Sequence, residues 1–170
     1  MKFDFEIPKE LAHLKLDERG YPIPFFAPII NGKANFRHQD PVKREECIAR
    51  RICSICGRKL PKDYSYIVTG PIGFKNRVCS DTPMHRVCAE FSLRACPHLY
   101  FQKSERKEEA GPHQLPEKPP YILLVKISKF RGKWDDAMQG NLIHYTPAFF
   151  ERYDYVDNIL QRSIHLDGTN

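Results

Sequence analysis

The sequence predicts an α+β protein: a treble-clef-like zinc finger core, preceded by an N-terminal β-hairpin and followed by a C-terminal strand–helix extension. Two pairs of metal-ligand residues flank a strand-like segment, and an Asn-Gly turn follows an apolar stretch. The last part of the chain combines a strongly apolar segment with helix-start signals. A chain of 170 residues is long enough to bury a sizeable core in one domain.

The N-terminal region predicts a hairpin. Prolines interrupt the apolar stretch 21–30, which is typical of an edge strand or an extended arm because proline cannot donate to a strand ladder. Asn31-Gly32 supplies the positive φ values of a type I′ turn. We therefore expect residues 25–30 to pair with residues 33–37.

A helix and a strand follow the hairpin. Asp40 is a favourable N-cap and Pro41 suits the first helical position, which predicts a helix to about Ile52. Residues 64–70 are β-branched and aromatic, the composition of a strand, and residues 74–79 could pair back with them.

A second helix is predicted from Thr82-Pro83 to the residue before Cys96, by the same capping argument. Its apolar residues recur at helical spacing and form one stripe. They are Met84, Val87, Cys88, Phe91 and Ala95.

The C-terminal part predicts a linker and then a strand–helix unit. Residues 121–130 form the strongest strand pattern, and residues 140–145 are its expected partner. Thr146-Pro147 predicts a short helix, and residues 155–164 a second one. The predicted organisation is a zinc-binding domain at 1–101, a Pro- and charge-rich linker at 102–120 and the extension at 121–170.

The candidate metal ligands are Cys53, Cys56, His85 and Cys88. Two cysteines separated by two residues can hold one ion in a tight turn, or knuckle, and Gly57 lets the backbone fold beneath it. His85 and Cys88 share a face of a helix at its first turn, where thiolates are stabilised. Three thiolates and one imidazole in a closed shell favour a single structural Zn²⁺.

Three further cysteines leave alternatives open. Cys79 lies close enough to His85 in sequence to replace it as a ligand. A second zinc site built from Cys47, Cys79, Cys96 and His98 is conceivable, although the spacings match no ligand-pair rule. The other interpretation is that these cysteines are small buried residues.

Composition and motifs disfavour several classes of protein. The chain has no apolar stretch of about 18 residues and begins with a mixed, acid-containing segment, so we expect neither a membrane helix nor a secretory signal. In the cytoplasm its six cysteines would not form disulfides. Four good ligands leave no open position for catalysis, and His85 lacks the H-x-E context of zinc deaminases. Catalytic residues are therefore predicted to be absent.

The net charge of +6 is unevenly distributed. Residues 43–62 carry seven bases and two acids, residues 101–133 carry eight and four, and residues 134–170 carry two and six. The basic segments indicate either nucleic-acid contact or a solvated surface with partners inside the fold. The candidate nucleic-acid-binding residues are Lys43, Arg44, Arg50, Arg51, Arg58, Lys59, Lys126, Lys129, Arg131 and Lys133.

A family resemblance covers roughly residues 22–100. The stretches FFAPIINGKANFR, CSICGRKL and PMHRVCAEFSLRACPHL resemble a group of small zinc-binding proteins of phages and actinobacteria that has no assigned activity. The resemblance implies the same four zinc ligands and places Cys96 in the same block. It also implies a bacterial cytoplasm or a phage-infected host cell.

We therefore expect a non-enzymatic zinc-binding protein that acts as a protein-interaction module, such as a phage factor that binds or inhibits host machinery. The expected partner is a protein, with neither a membrane nor a small-molecule substrate indicated. A nucleic-acid-binding zinc-finger protein and an HNH-like metal-dependent nuclease remain the alternatives.

Overall fold

The computed structural model describes residues 6–102 and 118–163, which form a mixed α+β fold. The helices are α1 Pro41–Arg50, α2 Pro71–Asn76, α3 Arg86–Ala95 and α4 Pro97–Tyr100. The strands are β1 Ile29–Ile30, β2 Lys33–Ala34, β3 Ser65–Thr69, β4 Val78–Cys79, β5 Tyr121–Asp135, β6 Gly140–Val156 and β7 Ile159–Arg162. None of the described helices has the length and apolar character needed to cross a bilayer.

One antiparallel sheet organises the molecule, with strand order β3-β5-β6-β4 and with β7 added alongside β6. The start of β5 is apolar at consecutive positions because both of its faces are buried. Ile122 and Leu124 join a core cluster that contains α3 and the cysteine knuckle, whereas Leu123 and Val125 join a second cluster with Ile67 on β3. The first cluster therefore places the candidate ligands on one side of this sheet.

The N-terminal expectations are confirmed in position but not in length. β1 and β2 pair across Asn31 and Gly32, whose φ values are 50° and 77°, although the hairpin is shorter than expected. The Asp40 side chain accepts hydrogen bonds from the backbone N–H groups of Val42 and Lys43 and caps α1. Local capping and turn chemistry are sufficient to specify these elements.

The hairpin expected between the two ligand pairs is not formed. Residues after Gly70 turn into α2, so the segment 74–79 does not pair back with β3. Instead β3 pairs with β5, and β4 pairs with β6. Because β3 belongs to the predicted 1–101 unit and β5 to the 121–170 unit, the two predicted units share one sheet.

The second helix begins later than expected. The Thr82-Pro83 cap was a wrong prediction, because α3 starts at Arg86 with His85 as its N-cap. The residues before it stay extended, since Met84 exchanges two backbone hydrogen bonds of 2.8 Å with Tyr66. At these residues, backbone pairing with β3 is more favourable than the helix cap that Thr82-Pro83 would provide.

The prediction of helices in the C-terminal extension was wrong. Residues 140–156 form a single strand that includes Thr146-Pro147, and β7 occupies the region of the second predicted helix. Pro147 lies at an irregularity of the β5–β6 register, where a missing N–H is tolerated. The missed turn is Asp157-Asn158, whose φ values of 49° and 70° fit a tight hairpin. Residues 103–117 of the expected linker and 164–170 lie outside the described residues.

Candidate metal centre

The structure brings Cys53, Cys56, His85 and Cys88 together. One ligand atom from each lies within 4.8 Å of those of the other three. The three cysteines are at most 4% exposed, and the histidine is partly exposed. Four donor atoms at this separation could surround a single ion.

The first pair is held by a tight turn. The backbone N–H of Cys53 donates to the Arg58 carbonyl at 2.8 Å, and that of Gly57 donates to the Cys53 carbonyl at 2.9 Å. Gly57 adopts a φ of 72°, which L side chains rarely take. A Cβ there would also lie 3.0 Å from the Phe25 ring, so the position favours glycine for two independent reasons.

The second pair is oriented by the start of α3. His85 is the N-cap residue, and Cys88 lies in the first turn, where the unpaired N–H groups of a helix favour a thiolate. The Nε2 atom of His85 lies 2.9 Å from the Lys59 carbonyl, which can only accept a hydrogen bond. The proton therefore sits on Nε2, which leaves Nδ1, 3.3 Å from the Cys56 sulfur, as the ligand atom that faces the three cysteines.

Hydrogen bonding within the cluster acts differently on its thiols. Hydrogen bonds from the thiols of Cys53 and then Cys88 hold the pKa of Cys56 well below its usual range, whereas hydrogen bonds with Cys53 and Cys56 raise the pKa of Cys88. The backbone N–H of His85 also points at the Cys53 sulfur, at 3.5 Å. Within the cluster, negative charge is therefore stabilised first on the sulfur of Cys56.

The N-terminal segment supports the knuckle from outside. Backbone N–H groups of Phe25 and Phe26 donate to the carbonyls of Ile55 and Ser54 at 2.9 and 3.0 Å. The His13 ring contributes a further hydrogen bond, 2.8 Å long, to the Cys56 carbonyl. In the sequence His13 is an isolated histidine, and nothing local marks this contact.

A buried carboxylate ties the ligand-bearing helix to the sheet. Arg86, directly after His85, forms an ion pair of 2.7 Å with Glu151 on β6, whose side chain is 6% exposed. Arg162 on β7 approaches the same carboxylate oxygen at 3.3 Å. This cluster joins residues far apart in sequence and has no local signature.

The remaining cysteines do not form a second site. The described part of the chain contains one cluster of three or more potential ligands, and Cys79 is not in it. Burial raises the pKa of Cys47 to about 12, and it also raises the pKa of Cys79 and Cys96. These thiols are neutral at physiological pH, which agrees with the interpretation as small buried or half-buried residues.

The predicted basic residues of α1 are largely used within the fold. Lys43 and Arg44 donate hydrogen bonds to the carbonyls of Ala27 and Ser80, at 3.0 and 2.8 Å. Arg50 forms an ion pair with the Glu46 carboxylate. Arg51 lies over the Phe130 ring, 4.5 Å from its centroid. These contacts reduce their availability to an external anion.

The other predicted basic residues are less occupied. Arg58 and Lys59 are exposed on the knuckle, and Lys126 lies over the Tyr64 ring at 4.7 Å. Lys129, Arg131 and Lys133 are exposed along β5. The structure therefore places Lys43, Arg44 and Arg51 in contacts within the fold. Arg50 on α1 and the cations of the knuckle and of outer β5 are exposed.

Fold and site together define a mixed α+β protein with a candidate metal centre of three cysteines and one histidine. Comparisons with known protein families, with curated proteins and with solved structures find no match. Function must therefore be argued from the site and the surface of this chain.

Proposed function

We propose that the protein binds one Zn²⁺ through Cys53, Cys56, His85 and Cys88 and that the metal has a structural role. The observation that carries this proposal is the mutual approach of four ligand atoms within 4.8 Å. Sulfur with imidazole nitrogen is the donor set that Zn²⁺ takes in closed, tetrahedral structural sites. Four protein ligands leave no position for a reacting water.

The location of the site supports a structural role. One ligand pair belongs to the knuckle and the other to the start of α3, so an ion would join these elements within the first core cluster. This order of ligand-bearing elements supports the treble-clef-like description, although the strands between them pair elsewhere. The metal would therefore supply folding energy to the protein.

The metal proposal is tested by elemental analysis and by Co²⁺ substitution. We expect one equivalent of zinc in the purified protein, and a cobalt-loaded form with the intense visible and thiolate charge-transfer bands of a tetrahedral thiolate site. Cys96→Ser is the matched control and should keep both properties. Less than one equivalent of metal, or an octahedral cobalt spectrum, would contradict the proposal.

We further propose that the zinc-bound protein is a non-enzymatic module that binds another protein. The β1–β2 hairpin exposes two adjacent large apolar side chains, since Ile29 and Ile30 are 55% and 52% exposed. Apolar groups held in water on a short ordered hairpin favour a protein contact. The resemblance to phage proteins suggests bacterial host machinery as the source of the partner.

The partner proposal is tested by affinity capture from bacterial lysate with the zinc-loaded protein as bait. We expect a specific protein to be retained, and its recovery to fall strongly for the double variant Ile29→Ser, Ile30→Ser. Leu16→Ser, a change at another exposed apolar residue, is the control. Equal capture by the double variant and the control would exclude the hairpin as the contact.

A further inference from the structure

The outer part of β5 carries a regular row of positive charge. Lys129, Arg131 and Lys133 occupy alternate positions beyond the register irregularity at 127–129, and all three are exposed. Alternate residues of a strand point to the same face. The three cations therefore share one face of the β5–β6 ribbon.

The ribbon holds this row in place. The residues opposite the three cations on β6 are Thr146, His144 and Leu142. None of these is an acid, so no carboxylate stands directly across the strand from a cation. The row therefore has no acidic partner on the neighbouring strand.

The other face of the ribbon is anchored to the protein. Ile143 is fully buried, and its partner Gly132 sits so close to α1 that a Cβ there would lie 3.0 Å from Ile48. The Arg51 guanidinium also covers Phe130 on this side. Packing against α1 gives the exposed row a rigid backing.

The basic row ends at Lys133, because Asp135 takes the next alternate position on the same strand face. Asp135 accepts a hydrogen bond from the Met138 backbone at 2.9 Å, and Asp136 accepts one from the Trp134 indole at 2.9 Å. Within residues 6–102 and 118–163, no carboxylate lies in ion-pair range of the three cations. This distinguishes them from the internally bonded cations of α1.

We propose that this face binds the phosphate backbone of nucleic acid without reading its sequence. Duplex DNA carries one phosphate charge per strand for about every 3.4 Å of its helix axis, so it is a dense polyanion. Three exposed cations on one face suit such a polyanion, and an arginine can hold a phosphate with two hydrogen bonds. The inference goes beyond the proposed function and does not depend on a protein partner.

The test measures binding of a short fluorescent DNA duplex of random sequence by anisotropy, between about 50 and 200 mM salt. The triple variant Lys129→Gln, Arg131→Gln, Lys133→Gln should weaken binding about tenfold or more at the lower salt concentration. It should also reduce the slope of log K against log salt by about 2.7, because three phosphate contacts no longer release counterions. Zinc content and circular dichroism verify that the variant folds.

A second triple variant, Lys9→Gln, Lys15→Gln, Lys75→Gln, is the matched control, because it removes the same charge from scattered exposed positions. It should retain nearly the full slope. A charge-preserving triple, Lys129→Arg, Arg131→Lys, Lys133→Arg, should bind as the unaltered protein does. The proposal is overturned if the unaltered protein fails to bind the duplex at about 50 mM salt, if both neutral triples lose binding equally, or if labelled polyglutamate binds as tightly as DNA.

Discussion

Replacing Cys88 by serine is expected to release the proposed Zn²⁺ and to unfold the first core cluster. A serine hydroxyl keeps its proton at neutral pH and is a poor substitute for a thiolate ligand. Structural zinc supplies about 10–16 kcal/mol in zinc-finger peptides, whereas the net stability of a folded domain is about 5–15 kcal/mol. Losing one of four ligands should therefore remove most of the net stability. Zinc content and near-ultraviolet circular dichroism measure both effects.

The matched control for this experiment is Cys79→Ser. The Cys79 sulfur donates to the Asp81 carbonyl at 3.2 Å, a contact that a hydroxyl can make as well, and Cys79 is not part of the metal cluster. This variant should keep its zinc and its fold, and addition of a chelator should unfold it as it unfolds the unaltered protein. Folding of the Cys88→Ser variant without metal would show that the site does not stabilise the core.

The second large effect is expected for Arg86→Met, which removes the closest partner of the buried Glu151. We expect a loss of about 2 kcal/mol in the free energy of unfolding, because a buried carboxylate is then left with a single, longer ion pair. The value lies below the loss for a fully buried pair, since Arg86 itself is partly exposed. Urea denaturation of the zinc-loaded protein measures this loss.

Two further variants make the test specific. Arg162→Met should cost less than about 1 kcal/mol, because Arg162 is 61% exposed and its contact with Glu151 is 3.3 Å long. The double variant Arg86→Met, Glu151→Met removes the buried charge as well and should be more stable than Arg86→Met alone. The single variant Glu151→Met completes the cycle. If its loss of stability and that of Arg86→Met simply add in the double variant, the two residues are not coupled.

Features specified by neighbouring residues were predictable. The Asp40 cap acts on N–H groups two and three residues away, and the Asn31-Gly32 turn depends on its own two φ values. The knuckle is likewise a local turn closed between Cys53 and Arg58. Each signal lies within a few residues of the structure that it forms, so the sequence pattern was sufficient.

Two sequence patterns typical of a helix start do not begin a helix, because strand pairing at the same residues is more favourable. Thr82-Pro83 and Thr146-Pro147 both resemble helix starts, yet the first precedes a bridge between Met84 and Tyr66 and the second lies inside β6. A cap contributes about 1 kcal/mol, which long-range pairing and burial readily exceed. The Asp157-Asn158 turn, by contrast, depends on its own two φ values and is a local feature of the sequence.

The sequence by itself determined that this is an α+β chain with two ligand pairs at metal-binding spacing, because ligand chemistry and capping are local properties. Only the tertiary structure decided that β3 joins β5 in one sheet, that His85 presents Nδ1 to the cluster, and that Glu151 holds the ligand-bearing helix. It also separated the internally bonded cations of α1 from the exposed row on β5. These outcomes depend on contacts between distant segments, whose energies no local pattern encodes.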